Sequence, residues 1–420
     1  MAIKKIQVKN FKSFKDLKIE LGKFDVLIGA NASGKSNFVE IFRFLRNIVN
    51  FGLKNAISMQ GGVEYLRNMK IHASENFSVN IFSDHKFGWL GRRRIKKGKI
   101  IAFDVDEVSW GFALKFKRRG SGFEIIREDL MQKFNFVSFE RGKRELKAKE
   151  KLGEGKLIYS CTNGKLTIDF HKQPKDVPIE KDDVISPYMR EEKLPRDMLL
   201  IQAGLPFRFP LVRLFSDVSI YDFDPRLPKK ATPITGKAEL EEDGSNLSIV
   251  LKNIIEQRDQ KRKFFNLMKE LLPFIAGLDV ERFADKSLLF TLREIYSERQ
   301  HLPASLISDG TINIAALIVA LYFEEKLLTI IEEPGRNIHP HLISKVIEMF
   351  KDASRKKQII ITTHNPEIVR TAGLGNILLV SRDKEGFSTI SRPADKEEIK
   401  TFLKNEIGIE ELYVQDLLEV

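Results

Sequence analysis

Three short apolar runs lack the alternation of apolar and polar residues that marks a half-exposed strand. They occupy residues 24–28, 327–331 and 359–361, and only Asp25 interrupts the first. Such runs are typical of central strands in a parallel sheet that is covered on both faces. Apolar residues at helical spacing follow the first two runs. This succession of strand, loop and helix predicts an α/β core.

A long interval of different pattern separates the two parts of this core. Segments between residues 61 and 173 alternate apolar and polar positions, and Asn163-Gly164 supplies a hairpin turn, which predicts an antiparallel β lobe. An irregular, proline-rich stretch follows, and helical spacing returns after Asn246. The predicted domains are a discontinuous core of residues 1–60 and 286–420, a β-rich lobe of residues 61–173, and an irregular then helical insertion of residues 174–285.

The most specific motif is a complete match to the phosphate-binding loop pattern G-x-x-x-x-G-K-[ST], from Gly29 to Ser36. It lies between a predicted strand and a predicted helix, which is the context that the pattern requires. Backbone N–H groups of such a loop converge on a phosphate, Lys35 contacts the β- and γ-phosphate oxygens, and the Ser36 hydroxyl binds Mg²⁺. The residues predicted to bind the nucleotide are Gly29, Asn31, Ala32, Ser33, Gly34, Lys35, Ser36, Asn37 and Lys12.

Two acids, Glu332 and Glu333, end the second apolar run. A strand that ends in acids is the arrangement needed to hold a metal ion beside a nucleotide and to activate water. We predict that Glu332 binds Mg²⁺ through its water shell and that Glu333 orients or deprotonates the attacking water. A solvated pair of acids after a strand is the alternative interpretation.

A histidine, His364, follows the third apolar run within Thr362-Thr363-His364-Asn365-Pro366. A lone histidine is usually structural. This one stands at the carboxyl end of a predicted parallel strand, where open α/β sheets bind ligands, so we predict that it senses the γ-phosphate as a third catalytic residue beside Lys35 and Glu333.

Ser308-Asp309-Gly310-Thr311 opens a strongly apolar helix. Ser308 is a helix N-cap on the simplest interpretation. The helix dipole, the N–H groups near Gly310 and the Ser308 hydroxyl also form an anion site. If the nucleotide of the same chain fills the phosphate-binding loop, this second anion site has no phosphate of its own, which favours a dimer.

Composition sets broad limits on the class of protein. The chain has 420 residues and 48.3 kDa, so one large domain with insertions or two lobes is expected. The longest wholly apolar stretch, residues 314–323, is too short for a bilayer helix, and no apolar signal segment follows the N-terminus. The single cysteine, Cys161, excludes a disulfide framework and a zinc ribbon. We therefore predict a cytoplasmic protein without a membrane partner.

Positive charge is concentrated in one region. The formal net charge is +12, and residues 85–160 hold 20 Lys and Arg against 10 Asp and Glu. Such an excess favours polyanionic partners, and with no groove-reading motif present the contact would be mostly with phosphates. A solvated charged surface is an equally good interpretation. The residues predicted to contact nucleic acid are Arg92, Arg93, Arg94, Lys96 and Lys97.

Together these motifs resemble the ABC-type, AAA-family ATPases of the RecF/SMC/OLD-like branch, in the form that lacks a Toprim domain. The order of phosphate-binding loop, Ser-Asp-Gly-Thr, Glu-Glu-Pro and Thr-His-Asn-Pro carries the resemblance. Residues 8–14, 243–247 and 337–340 and Asn37 agree with it. It implies an α/β P-loop NTPase fold, an ABC-type head with an inserted antiparallel β lobe and a helical insertion. It also implies that ATP and Mg²⁺ are the cofactors, and that ATP is held between the loop of one subunit and Ser308 and Gly310 of another.

The sequence departs from the family pattern at a few positions. Glu332 stands where many relatives have aspartate, and Gly335 where a further acid is common; neither predicts an inactive enzyme. Gln60 is a candidate for the glutamine loop, with a solvated loop residue as the alternative. Asp104 and Asp106 resemble a Toprim acid pair, but they stand in the wrong part of the chain. The segment His339-Pro340-His341 is interpreted as loop structure because a third metal ligand is missing.

Two functions are therefore compared. The first is a cytosolic ATP-hydrolysing switch that dimerises when it binds ATP and acts on nucleic acid in DNA repair or antiphage defence. The sequence does not decide whether such dimers assemble into higher oligomers. The second is an ATPase scaffold or sensor that controls a separately encoded nuclease or toxin. A transporter subunit does not explain the long insertion, and an SMC-type arm is disfavoured because long heptads are missing.

Overall fold

A computed structural model describes the chain in two compact units. It covers residues 2–71, 75–84, 89–94, 100–117, 122–141, 146–175, 195–202, 209–283, 286–296, 300–397, 399, 408–415 and 417–419. Unit 1 comprises residues 1–22, 37–216 and 382–390, and unit 2 comprises residues 23–36, 217–381 and 391–420.

The strands in chain order are β1 (Ala2–Phe11), β2 (Phe14–Glu20), β3 (Phe24–Ile28), β4 (Phe77–Asp84), β5 (Trp89–Arg94), β6 (Ile100–Phe116), β7 (Phe123–Arg141), β8 (Leu146–Thr162), β9 (Lys165–Gln173), β10 (Val218–Tyr221), β11 (Thr232–Pro233), β12 (Ile275–Phe283), β13 (Ser287–Glu294), β14 (Leu302–Pro303), β15 (Leu328–Glu332), β16 (Gln358–Thr363), β17 (Ile377–Arg382) and β18 (Ser388–Ser391).

The α-helices are α1 (Lys35–Phe51), α2 (Leu53–Met59), α3 (Val63–Leu66), α4 (Phe209–Ser216), α5 (Leu247–Glu256), α6 (Arg258–Leu271), α7 (Asp309–Tyr322), α8 (Pro340–Ala353), α9 (Pro366–Ala372) and α10 (Ile409–Val414). Single 3₁₀ turns occupy Ala304–Leu306, Leu374–Asn376, Pro393–Asp395 and Leu417–Glu419. Among the described residues no helix is long and apolar enough to cross a membrane.

The six-stranded sheet that contains the three apolar runs has the order β10-β15-β16-β3-β17-β18. Strands β3, β15 and β16 are its centre, and all their pairings are parallel. Every residue of β3 and β16 is buried, because each strand is covered on both faces and has neighbours on both edges. The prediction of an α/β core with these central strands is confirmed.

Helix α7 is buried almost all round, with eleven consecutive buried residues from Thr311 to Leu321. It belongs to one hydrophobic cluster with α5, α6 and α8 and with strands β3, β15 and β16. Residues 217–285, which the sequence analysis assigned to the insertion, therefore lie in unit 2 with the parallel sheet. The apolar faces of α5 and α6 pack in this core, and local periodicity does not show which surface an apolar face covers.

Unit 1 is built on a second sheet, of order β2-β1-β4-β6-β7-β8-β9, with β5 paired to β6. All its pairings are antiparallel, as the alternating pattern predicted. Strand β1 pairs with β2 on one edge and with β4 on the other. The N-terminal hairpin and the β lobe thus form one sheet. Unit 1 therefore includes residues 1–22, whereas the predicted β lobe began at residue 61.

Candidate nucleotide site

The glycine-rich loop connects β3 to α1, and its backbone takes conformations that favour glycine. Gly34 has φ 121°, and Ala32 is left-handed with φ 62°. A Cβ on Gly29 would lie 2.3 Å from the carbonyl oxygen of Val380, so no larger residue fits there. Residues 30–32 are exposed at the tip of the loop. The loop therefore presents an open turn at the N-terminus of a 17-residue helix, which is suited to binding an anion.

Lys35 is folded back onto this loop. Its Nζ donates hydrogen bonds to the carbonyl oxygens of Gly29, at 2.7 Å, and Ala30, at 3.1 Å. Partial burial lowers the pKa of Lys35, and the nearby carboxylates of Glu333 and Glu332 oppose this effect. Partial desolvation strengthens the attraction of this ammonium group to a phosphate, while the two acids help to keep it protonated.

Ser36 and Glu332 are 296 positions apart in the sequence, and the fold of unit 2 brings their side chains together. The Ser36 hydroxyl donates to Oε2 of Glu332 at 3.1 Å. This bond is compatible with the predicted arrangement, in which Ser36 would bind the ion directly and Glu332 through its water shell, because Mg²⁺ usually keeps several of its waters. Both groups are oxygen donors of the kind that Mg²⁺ prefers, so these residues fit that ion.

Glu333 and His364 form a second close pair. Nδ1 of His364 lies 2.7 Å from Oε1 of Glu333, so the two side chains share a hydrogen bond. The hydroxyl of Thr363 donates to the other carboxylate oxygen at 3.4 Å. Glu333 has a left-handed φ of 46°, and its backbone N–H donates to the carbonyl of Thr362 at 2.9 Å. The ends of β15 and β16 therefore fix this carboxylate from several sides.

The start of α7 is exposed in unit 2. Ser308 is the N-cap, and its Oγ accepts a hydrogen bond from the backbone N–H of Thr311 at 3.2 Å. Ser308 is solvent-exposed, as is Leu306 just before it, at 69%. Lys229 pairs with Asp309 at 2.5 Å, so the acid of the motif is partly neutralised. The N-cap interpretation of Ser308 is confirmed, and its Oγ also lies 2.8 Å from the hydroxyl oxygen of Thr311.

Gly310 allows the close approach of α7 to a neighbouring loop. A Cβ at this position would lie 2.5 Å from the carbonyl oxygen of Asn337. We expect Gly310→Ala to displace the start of α7, to lower ATP turnover roughly tenfold and to lower the melting temperature, since overpacking costs about 1–3 kcal/mol. Gly375→Ala is the matched control, because nothing lies within 4 Å of its added methyl group. A steady-state ATPase assay of both variants measures this, and equal activity would contradict the packing argument.

Three further predicted residues, Lys12, Asn37 and Gln60, line a cavity of about 660 Å³ within unit 1. The amide of Asn37 donates to the Ser13 hydroxyl at 2.8 Å. Gln60 is buried, and its amide donates to Glu40 at 2.8 Å, so it is not a solvated loop residue. Lys12 has a left-handed backbone with φ 44°.

Of the remaining sequence motifs, some lie in described strands and helices and some lie outside the described residues. The backbones of Arg92, Arg93 and Arg94 form part of β5 and pair with β6, while Lys96 and Lys97 lie outside the described residues. Asp104 and Asp106 lie on β6. His339 caps α8, and its Nδ1 is 2.6 Å from Nδ1 of His341.

Sequence reasoning missed Thr363 and Asn313. Thr363 directly precedes His364, and that position was the only available signal. Asn313 stands inside an apolar helix and donates its amide to the carbonyl of Arg336 at 2.7 Å. A polar residue in the middle of an apolar run was the signal in this case.

A known family matches this chain over residues 25–370, with the description "AAA domain, putative AbiEii toxin, Type IV TA system". The chain belongs to this family. Its members are ATPases, and the resemblance to ABC-type and SMC-like ATPases is confirmed. The phosphate-binding loop and both acids of the second apolar run lie within the matched region.

Comparison with individual proteins points in the same direction. The chromosome partition protein Smc of Methanocaldococcus jannaschii is 23% identical over 305 residues, which is 62% of this chain. The chain spans about a quarter of the length of that relative, 25%. The Smc head domain of Pyrococcus furiosus, solved with an extended coiled coil and the C-terminal domain of ScpA, has a TM-score of 0.50 at 14% identity, covering 96% of this chain and 99% of that one. An SMC head domain from Thermotoga maritima gives 0.44 at 15% identity, covering 93% and 99%. The likeness to the Pyrococcus furiosus head, at a TM-score of 0.50, shows that the fold is of the SMC-head type.

Proposed function

We propose that this ATPase is a switch in which ATP closes a homodimer and hydrolysis opens it. The observation that carries the proposal is the convergence of two bonded pairs, Ser36 with Glu332 and Glu333 with His364, while Ser308 stays exposed at a helix start. These two pairs supply groups needed to bind and cleave a triphosphate. The exposed helix start supplies an anion site for the nucleotide of another protomer.

The groups divide the hydrolytic reaction between them. Lys35 exchanges its two carbonyl acceptors for the β- and γ-phosphate oxygens, which form stronger, charge-assisted bonds. Ser36 and Glu332 would hold Mg²⁺, which when bound would neutralise part of the charge on the phosphates. Glu333 accepts a proton from the attacking water or orients it, and His364, bonded to Glu333, keeps the carboxylate in place and faces the γ-phosphate.

Light scattering after size exclusion tests the dimer. A variant that binds ATP without cleaving it, Glu333→Gln, should elute as a monomer of 48.3 kDa without nucleotide and at about twice that mass with ATP and Mg²⁺. Ser308→Arg in the same background should remain a monomer, since a bulky cation would block the helix start. A mass unchanged by ATP in Glu333→Gln would refute the switch.

We further propose that the switch acts on nucleic acid, in DNA repair or antiphage defence, through the β-rich lobe of residues 61–173, called the basic lobe below. Strand β5 places three consecutive arginines next to β6, in the region that holds most of the net positive charge. Charge reversal of Arg92, Arg93 and Arg94 to Glu should weaken duplex DNA binding and reduce the slope of log K against log salt by about 3.

The control for this experiment has the same change in net charge at another place. Arg258, Arg262 and Lys269 are exposed on α6, and their triple change to Glu should leave the slope nearly unaltered. Binding is measured by fluorescence anisotropy at several salt concentrations. If both triple variants lose binding equally, net charge and not the basic lobe is responsible.

A second candidate is favoured by the description of the family, which names a toxin of a type IV toxin–antitoxin system. In this alternative the ATPase controls a separately encoded nuclease or toxin. Affinity capture from the native host with Glu333→Gln and with Lys35→Ala would then recover a protein partner in one nucleotide state only. Recovery of DNA without a protein partner supports the first candidate.

A further inference from the structure

Asn313 connects the helix that begins after Ser308 to the loop that follows Glu333. It lies in the second turn of α7 and is 2% exposed. Its Nδ2 donates to the carbonyl oxygen of Arg336 at 2.7 Å, and the carbonyl oxygen of Pro334 is 3.5 Å away. One side chain therefore bonds the loop within three residues of the proposed catalytic acid.

The backbone reinforces this connection. The loop after Glu333 turns tightly, because the N–H of Arg336 donates to the Glu333 carbonyl at 3.0 Å. The residue after Arg336 is Asn337, which is left-handed with φ 61°. Its carbonyl oxygen lies against Gly310. The first two turns of α7 and this loop are thus in contact at two points, the amide of Asn313 and the α-carbon of Gly310.

The far end of α7 is also held. Lys357 is 7% exposed, and its Nζ donates to the carbonyl oxygens of Ala320, at 2.9 Å, and Glu324, at 2.8 Å. This lysine immediately precedes β16, the strand that ends next to His364. The helix is therefore bonded at one end to the segment carrying Glu333 and at the other to the strand leading to His364.

The amide of Asn313 is used only as a donor. Its Oδ1 is buried and has no hydrogen-bond partner among the residues that the structure describes. A buried acceptor without a donor is costly, and leucine has nearly the same shape without that cost. The contribution of Asn313 is therefore its bond to the loop and not its packing in the core.

We propose that Asn313 is a positioning residue that makes the start of α7 and the loop after Glu333 move as one body. The inference rests on the proposed function, in which Glu333 acts on the nucleotide of its own protomer while Ser308 contacts the nucleotide of the partner. Engagement of Ser308 in one site then sets the position of Glu333 in the other. Asn313 thereby couples the two nucleotide sites of the dimer.

The test compares Asn313→Leu with the parent protein in ATP binding and in turnover. We expect the Kd for a fluorescent ATP analogue to change by less than about twofold, because no phosphate contact is lost. The value of kcat should fall roughly tenfold to 100-fold, since a small misplacement of Glu333 is enough. The Hill coefficient for ATP should fall from above one to about one, which a purely structural role would not cause.

Two further variants keep the outcome decisive. Asn313→Ser is too short to reach the Arg336 carbonyl and should behave as Asn313→Leu does, so it replaces that variant if the latter fails to fold. Ser248→Ala removes a buried hydroxyl of unit 2 that has no hydrogen-bond partner within the described part of the chain, and it should match the parent. An active, cooperative parent together with unchanged kcat and Hill coefficient in both Asn313 variants would overturn the coupling. A parent without ATP turnover would instead refute the proposed function.

Discussion

Replacing Lys35 with alanine should abolish ATP turnover and weaken ATP binding by about 100-fold, the loss expected when a buried charge-assisted contact to a phosphate disappears. The folded protein should be little affected. The ammonium donates to two carbonyls of its own loop, and burial lowers its pKa, so relief of the desolvation offsets the loss of these bonds. Binding of a fluorescent nucleotide and thermal melting together measure both effects.

Lys15→Ala is the control for this prediction. Lys15 is an exposed lysine of unit 1, and its ion pair with Glu385 at 3.3 Å is of the weak surface kind. It should bind and hydrolyse ATP as the parent does. If Lys35→Ala kept the nucleotide affinity of the parent, the loop from Gly29 to Ser36 would not be the phosphate site, whatever its sequence pattern.

Replacing Glu333 with glutamine should slow ATP hydrolysis by about 10²- to 10⁴-fold, the range expected for loss of a positioned general base. ATP affinity should stay within a few-fold of the parent, because the phosphate contacts come from Lys35, Ser36 and the loop. Glutamine keeps the size of the side chain and one oxygen acceptor for His364, so the fold should persist. Single-turnover kinetics with excess protein separate the chemical step from nucleotide release.

Glu325→Gln makes the same chemical change at an exposed position near the start of β15 and should not alter the rate. His364→Ala adds a second comparison, because it removes the imidazole that is bonded to the Glu333 carboxylate. If Glu333→Gln and the parent turned over ATP at equal rates, the assignment of Glu333 as the general base would be wrong, and the bonded His364 would lose its proposed role as well.

Short-range patterns of apolar and polar residues were enough to predict both types of sheet. The apolar runs at residues 24–28, 327–331 and 359–361 became the centre of a parallel sheet, because a strand covered on both faces must be apolar throughout. The alternating segments became the antiparallel sheet of unit 1 for the converse reason. Both inferences depend only on the period of the side chains, which the sequence displays directly.

Domain boundaries could not be predicted from these local patterns. The sequence shows that α5 and α6 each have an apolar face but not which surface that face meets, and the structure places them in the core with the parallel sheet. Likewise, β1 pairs with both β2 and β4, which joins the N-terminal hairpin to the β lobe. Strand partners distant in the sequence are selected by long-range packing, for which local patterns carry no signal.

By itself the sequence determined which groups are available for chemistry: a phosphate-binding loop, two acids after a strand, a histidine after the next strand and a serine before an apolar helix. Their spacing along the chain also placed each of them at the end of a secondary-structure element. Only the tertiary structure decided which of them are bonded, as Ser36 is to Glu332 and Asn313 to the loop after Glu333. The physical reason is that hydrogen bonds act over about 3 Å, and residues separated by 296 positions come within that distance only when the whole core packs around them.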